Sequence, residues 1–116
     1  MGFAPTFMNG NTGGRNLYIV SGEIDTTTPT VTRGADFTVV KNGTGDVTIT
    51  FTSPFGGGLD GVTAIGVGAA GTTGIICKLV TSSYTGASVR IQRTTDAAAA
   101  SDGPILFNVW GALDPY

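Results

Sequence analysis

The sequence predicts an all-β protein, a small antiparallel β-sandwich of about eight short strands, and three observations carry that expectation. Residues 46–52 alternate strictly: Val47, Ile49 and Phe51 fall on one face and Thr48, Thr50 and Thr52 on the other, the period of two of a half-buried strand. Clusters of Gly, Pro, Ser, Thr and Asp separate β-branched runs at roughly the 8–12-residue spacing of sandwiches and barrels. The composition is that of a turn-rich β protein, with 19 glycines in 116 residues and 12% charged side chains, about half the ordinary share of roughly 25%. A chain of this length holds one domain and buries roughly two-thirds of its unfolded surface.

Taken in order, residues 1–16 carry Phe3, Pro5, Phe7 and Met8 ahead of a run of Asn, Gly and Thr, and are read as an extended arm that packs on something else. Residues 17–116 are read as the sandwich domain. Its strands are expected at 17–24, 30–33, 37–41, 46–52, 62–67, 74–80, 87–93 and 105–111. Asn42-Gly43-Thr44-Gly45 between the third and fourth is short and tolerates positive φ, so it predicts a hairpin. In the last strand Ile105, Phe107 and Val109 alternate with Leu106, Asn108 and Trp110, apolar on both faces, which predicts a central strand or one facing another subunit. Four alanines, Ala97 to Ala100, are too few to nucleate a helix alone and predict a loop or single turn.

Several function classes are disfavoured. A net charge of −2 with six scattered basic residues gives nucleic acid nothing to hold. Residues 61–77 are uncharged, but five glycines dilute them and Lys78 follows, so two strands joined by a Gly-Thr turn fit better than a membrane span. Met1-Gly2-Phe3-Ala4-Pro5 has neither a basic nor an apolar run of a signal peptide. Gly66-Val67-Gly68-Ala69-Ala70-Gly71 matches the dinucleotide fingerprint by letter, yet a β-rich run follows where a helix is required. Glu23 and Asp25 share a strand side but run into Thr26-Thr27-Thr28-Pro29, expected to be an exposed loop. Asp60, Asp96 and Asp102 are read as isolated. Cys77, the one cysteine, is read as a buried inert thiol, and there is no histidine to serve as a base. The expectation is a protein that is not an enzyme and needs no cofactor or metal.

Gly22, Phe37-Thr38-Val39, Gly43-Thr44-Gly45, Val47-Thr48-Ile49-Thr50-Phe51, Pro54-Phe55 and the closing Phe107-Asn108-Val109-Trp110-Gly111 together resemble a module of tailed-bacteriophage fibre, spike and head-decoration proteins. The resemblance covers residues 17–113 and rests on turn and core residues. It implies a homotrimeric β-sandwich built into the virion, made in the bacterial host cytoplasm and serving attachment, capping or capsid decoration. Members of that family often follow a long shaft, whereas here only an arm of about sixteen residues precedes the module. A compact capsid-decoration or tail-adaptor part is therefore expected over a long fibre.

Two sets of contact residues follow. Phe3, Phe7 and Met8 of the arm, with Leu106 and Trp110 of the last strand, are candidates for assembly and docking on sister subunits or other virion proteins. The alternative is a carbohydrate- or receptor-binding module of a tail fibre used in host attachment. Its candidates are Tyr84, Trp110 and Tyr116 as aromatic platforms, with Asp102, Asn108 and Asp114 as polar partners to a cell-surface glycan.

Overall fold

The alternating runs become eight strands in two sheets in the computed structural model, which describes residues 17–68, 74–80 and 85–113. They are β1 (Leu17–Asp25), β2 (Thr30–Gly34), β3 (Phe37–Gly43), β4 (Asp46–Phe51), β5 (Leu59–Gly66), β6 (Ile75–Leu79), β7 (Ser88–Thr95) and β8 (Pro104–Ala112). One sheet runs β2-β1-β8-β5 and the other β3-β4-β7-β6, with every pairing antiparallel. All eight expected strands are found, most with ends moved by one or two residues. β5 starts earlier than expected because a register shift between Leu59 and Gly61 lets Leu59 pair with Gly111. The two strands expected within residues 61–77 are β5, in one sheet, and β6, in the other, and the expected turn between them lies outside the described residues. Ala97 to Ala100 form a turn, as expected, with Ala98 at φ 66° and Ala100 bridged to Thr94.

The core is the sum of the inward-pointing halves of these alternations. Val47, Ile49, Val89 and Ile91 from one sheet, with Ile24, Ile105 and Val109 from the other, are fully buried in one continuous cluster. Each such side chain contributes roughly 1.5–3 kcal/mol of transfer free energy. Ring contacts cross the interior: Phe37 meets Phe107 edge-on at 4.9 Å, and Phe55 lies between Tyr18 (5.2 Å) and Phe51 (5.0 Å). The Tyr18–Phe55–Phe51 chain closes one end of the sandwich.

The other end is closed by a cation. Along β7 the inward parity runs Val89, Ile91, Arg93, so the third member of an apolar series is an arginine, and it is 3% exposed. Its Nε donates to the Pro104 carbonyl (3.2 Å), and Nη2 to the Val67 carbonyl (2.6 Å). Nη1 donates to the Ser101 carbonyl (3.0 Å), the Ser101 hydroxyl (2.8 Å) and the Asp102 carbonyl (2.7 Å). A buried charge is costly unless its donors are satisfied. Here the fork of Arg93 meets five oxygens, and Pro104 and Val67 belong to the opposite sheet or its immediate exit. The β3–β4 hairpin is tied to the same place: Arg93 N donates to the Gly45 carbonyl at 2.7 Å. Gly45 has φ +66°, and a Cβ there would sit 2.4 Å from the Arg93 carbonyl oxygen and 2.7 Å from that of Ser101. Only glycine fits this turn without moving backbone.

Replacing Arg93 with leucine leaves several buried acceptors without donors, and equilibrium urea denaturation is expected to show a loss of about 3 kcal/mol or more. Arg93→Lys, one nitrogen against five acceptors, should recover only part of that. Wild-type stability in the leucine variant would mean that the sheets are held together elsewhere.

Candidate functional site

Both outer faces carry exposed apolar side chains, and they differ in how their polar groups are arranged. On β3-β4-β7-β6, Asp46 receives both Nε (2.8 Å) and Nη2 (2.6 Å) of Arg90, Gln92 Nε2 (3.1 Å) and Asn42 Nδ2 (3.1 Å), and Asn42 also donates to Thr48 Oγ1 at 2.9 Å. The hydrogen bonds of Arg90, with smaller ones from Asn42 and Gln92, lower the Asp46 pKa to about 2. This polar network shares its face with Val40, 56% exposed, and Ile76, 50% exposed.

The outer face of β2-β1-β8-β5 is built from the opposite parity of strands whose inner parity is core. Register places its side chains in three rows. Ile19 pairs with Trp110, which pairs with Gly61; Ser21, Asn108 and Thr63 form the second row; Glu23, Leu106 and Ile65 form the third. Arg33 of β2 extends the third row by pairing with Glu23. Two apolar rows therefore flank a strip of hydroxyls and an amide. Ile65 is 63% exposed, Ile19 55% and Leu106 38%. An open groove of about 310 Å³ lies across the lower rows, lined by Ser21, Glu23, Arg33, Thr63, Ile65, Leu106 and Asn108 over Gly22 and Phe107. Its ionisable side chains neutralise each other: Nε of Arg33 donates to Glu23 Oε1 at 2.8 Å, and Nη2 donates to the same oxygen. The surface offers neutral hydrogen-bonding groups between greasy side chains, which suits adhesion to another neutral surface.

Trp110 is half-buried, its indole laid against β5. A Cβ on Gly61 would stand 2.1 Å from Cζ2, so the absence of a side chain at 61 makes the seat for the ring.

The residues expected to form sites divide accordingly. Leu106, Asn108 and Trp110 come together on this face, joined by Ile19, Ser21, Thr63 and Ile65, which sequence reasoning did not single out. The pairing register, unknown from sequence, brings them there. Phe3, Phe7, Met8, Tyr84, Asp114 and Tyr116 lie outside the described residues. Asp102 does not join Asn108 and Trp110: it precedes β8 at the end opposite Trp110, about 20 Å away along the strand.

Nor is Asp102 isolated, as the sequence suggested. Its Oδ1 accepts from the Gly45 amide (2.7 Å) and the Thr26 hydroxyl (2.9 Å), and its Oδ2 from Lys41 Nζ (2.9 Å). The Gly45 amide, then Lys41 and Thr26, hold its pKa below the ordinary carboxylate value. Thr26, expected in an exposed loop, is fully buried, and its hydroxyl also accepts from Gly103 N at 3.0 Å. Thr27, Thr28 and Pro29 are exposed, as expected. Asp25 caps that turn by accepting from Thr27 N at 2.9 Å, so the Glu23–Asp25 couple is divided between an ion pair and a turn. Cys77 faces inward and is half-buried, and burial raises its pKa against the opposing influence of Arg93. Among the described residues no three His, Cys, Asp or Glu side chains gather into a group that could hold a metal, and no helix is long and apolar enough to cross a membrane. Comparisons with family models, with curated proteins and with solved structures give no match.

Two tests follow from this geometry. Gly61→Ala is expected to lift the indole off β5 and shift the emission of the one tryptophan in the sequence; an unchanged spectrum would mean that the ring is not seated there. Asp46 gives up its proton more readily folded than unfolded, so its pairing stabilises the fold above the ordinary value of 3.8 and the contribution is lost as pH falls from there through about 2. Stability measured against pH should decline across that window in the wild type and less steeply in Asp46→Asn.

Proposed function

We propose that this chain is a non-enzymatic structural component of a bacteriophage virion, a trimeric capsid-decoration or tail-adaptor type of part. It works by contact, through the outer face of β1, β8 and β5 and through the arm ahead of Leu17. The observation that carries the reading is that face: Ile19 beside Trp110 in one row, and Ile65 and Leu106 in another, stand exposed on either side of a polar strip, on a chain with 12% charged residues. Exposed apolar surface rimmed by polar groups marks association sites. The phage module that the sequence resembles supports the virion setting. Its shared residues occupy structural positions in this fold: Phe37, Val47, Ile49, Phe51, Phe55, Phe107 and Val109 are core, and Gly45 is the hairpin turn.

A second reading, a carbohydrate- or receptor-binding module, is favoured by one feature. Asn108 and Trp110 sit two residues apart on the same face, with Ser21 and Thr63 in the row of Asn108. An aromatic platform beside hydroxyls and an amide is the chemistry that sugars use.

Light scattering on the size-fractionated full chain is expected to give three times the protomer mass of 11.7 kDa, and labelled antibody should decorate intact particles in electron micrographs. A monomer at high concentration removes the contact reading. A glycan array with hits that Trp110→Ala abolishes would transfer the function to the second.

A further inference from the structure

Resting on the reading of the chain as an oligomeric contact protein, we propose that residues 1–16 of one copy dock on the outer face of β1, β8 and β5 of the next copy. The site would lie between the Ile19–Trp110 row and the Leu106–Ile65 row.

The face presents two apolar rows on either side of the strip of Ser21, Asn108 and Thr63. Ile19 and Ile65 are more than half exposed, and in strand register the two apolar rows stand four residues apart, a distance of about 14 Å. The sequence ahead of Leu17 has matching chemistry. Phe3, Pro5, Phe7 and Met8 fall within its first eight residues, and the next eight, Asn9-Gly10-Asn11-Thr12-Gly13-Gly14-Arg15-Asn16, contain no apolar side chain. That order is a greasy segment on a spacer. Fully extended, eight spacer residues reach about 26 Å, enough to cross either dimension of the face.

Charge agrees. No Asp, Glu, Lys or Arg occurs in residues 1–14, and the charges of the face, Glu23 and Arg33, are already paired. Docking of the apolar segment would bury no new side-chain charge, the usual obstacle to covering a surface, because Arg15 falls at the far end of the spacer.

The point of departure favours the face of the next copy. Leu17 pairs with Ala112, beyond the Ile19–Trp110 row, and β1 runs from there into the sheet. Docking on its own rows would require residues 1–16 to reverse direction ahead of Leu17, and docking on the next copy would not. Segment and face are different surfaces of one protein, and such a head-to-tail contact closes a ring when the rotation permits, as in a three-fold assembly.

The test uses three full-length proteins: wild type, an arm variant (Phe3→Ser, Phe7→Ser and Met8→Ser together) and a face variant (Ile65→Asp). Ile65 projects into solvent on an edge strand, so the change should leave the fold intact, which Trp110 emission and the urea midpoint check. Wild type should be oligomeric, and each variant alone should dissociate at least tenfold more readily. Mixed in equal amounts, the variants should form a one-to-one pair, because the intact arm of the face variant finds the intact face of the arm variant. An oligomeric wild type whose arm variant assembles as well overturns the docking and leaves the contact reading standing. A mixture that stays monomeric, though each variant is folded and has lost assembly, also overturns it, pointing to docking within one chain. A monomeric wild type sinks both the docking and the contact reading. If Ile65→Asp lowers the urea midpoint, Leu106→Ser takes its place with the same expectations.

Discussion

The sandwich depends on a cation placed where a hydrophobic residue belongs. Arg93 continues the inward series of Val89 and Ile91 at the point where the apolar filling of the two sheets ends. A leucine there could have sealed the gap but could not have satisfied the carbonyls of Val67, Ser101, Asp102 and Pro104, which turn inward where the chain passes between sheets. Unpaired buried acceptors cost more than an ordinary hydrogen bond contributes, so the decisive property of the guanidinium is the number and direction of its donors. Asp102 extends the arrangement outward. Its backbone serves Arg93, and its carboxylate gathers the β1–β2 turn through Thr26 and the β3–β4 hairpin through Gly45 and Lys41. Three loops far apart in sequence are thereby held in one place.

With the ends closed in this way, one by rings and one by hydrogen bonds, the two outer faces are free to differ. Around Asp46 and Arg90 the polar side chains satisfy each other and water, beside the exposed Val40 and Ile76. On β1, β8 and β5 the exposed parity is Ile, Leu and Trp beside Ser, Thr and Asn. Because Ile105, Phe107 and Val109 already anchor β8 as a central strand, Leu106 and Trp110 are not required for the interior.

The β architecture was legible because period-two patterning survives in single strands: Val47, Ile49 and Phe51 announce their face without reference to any partner. The closure was not. Arg93 looked like one of six scattered basic residues, although its parity with Val89 and Ile91 was a signal that it points inward. Thr26, Gly45 and Asp102 are joined over separations of 57 and 76 residues, and no local pattern reports such pairings. The outer face of β1, β8 and β5 lay between these extremes. The apolar side chains of β8 on both parities drew attention to Leu106 and Trp110, but Ile19 and Ile65 come beside them only through strand order and register. That β5 and β6 part into different sheets is likewise invisible in a stretch without charges.

One consequence concerns how the molecule behaves in acid. All five oxygens that Arg93 grips are carbonyls or a hydroxyl, none of which takes up a proton in the ordinary range. Carboxylates instead hold the hairpin tips and decorate the polar sheet. Acidification thus slackens the periphery, the loop tips and the hydrophilic side, while the seam between the layers stays fastened. A protein wired in this manner loosens from its rim inward, with its two halves the last parts to separate.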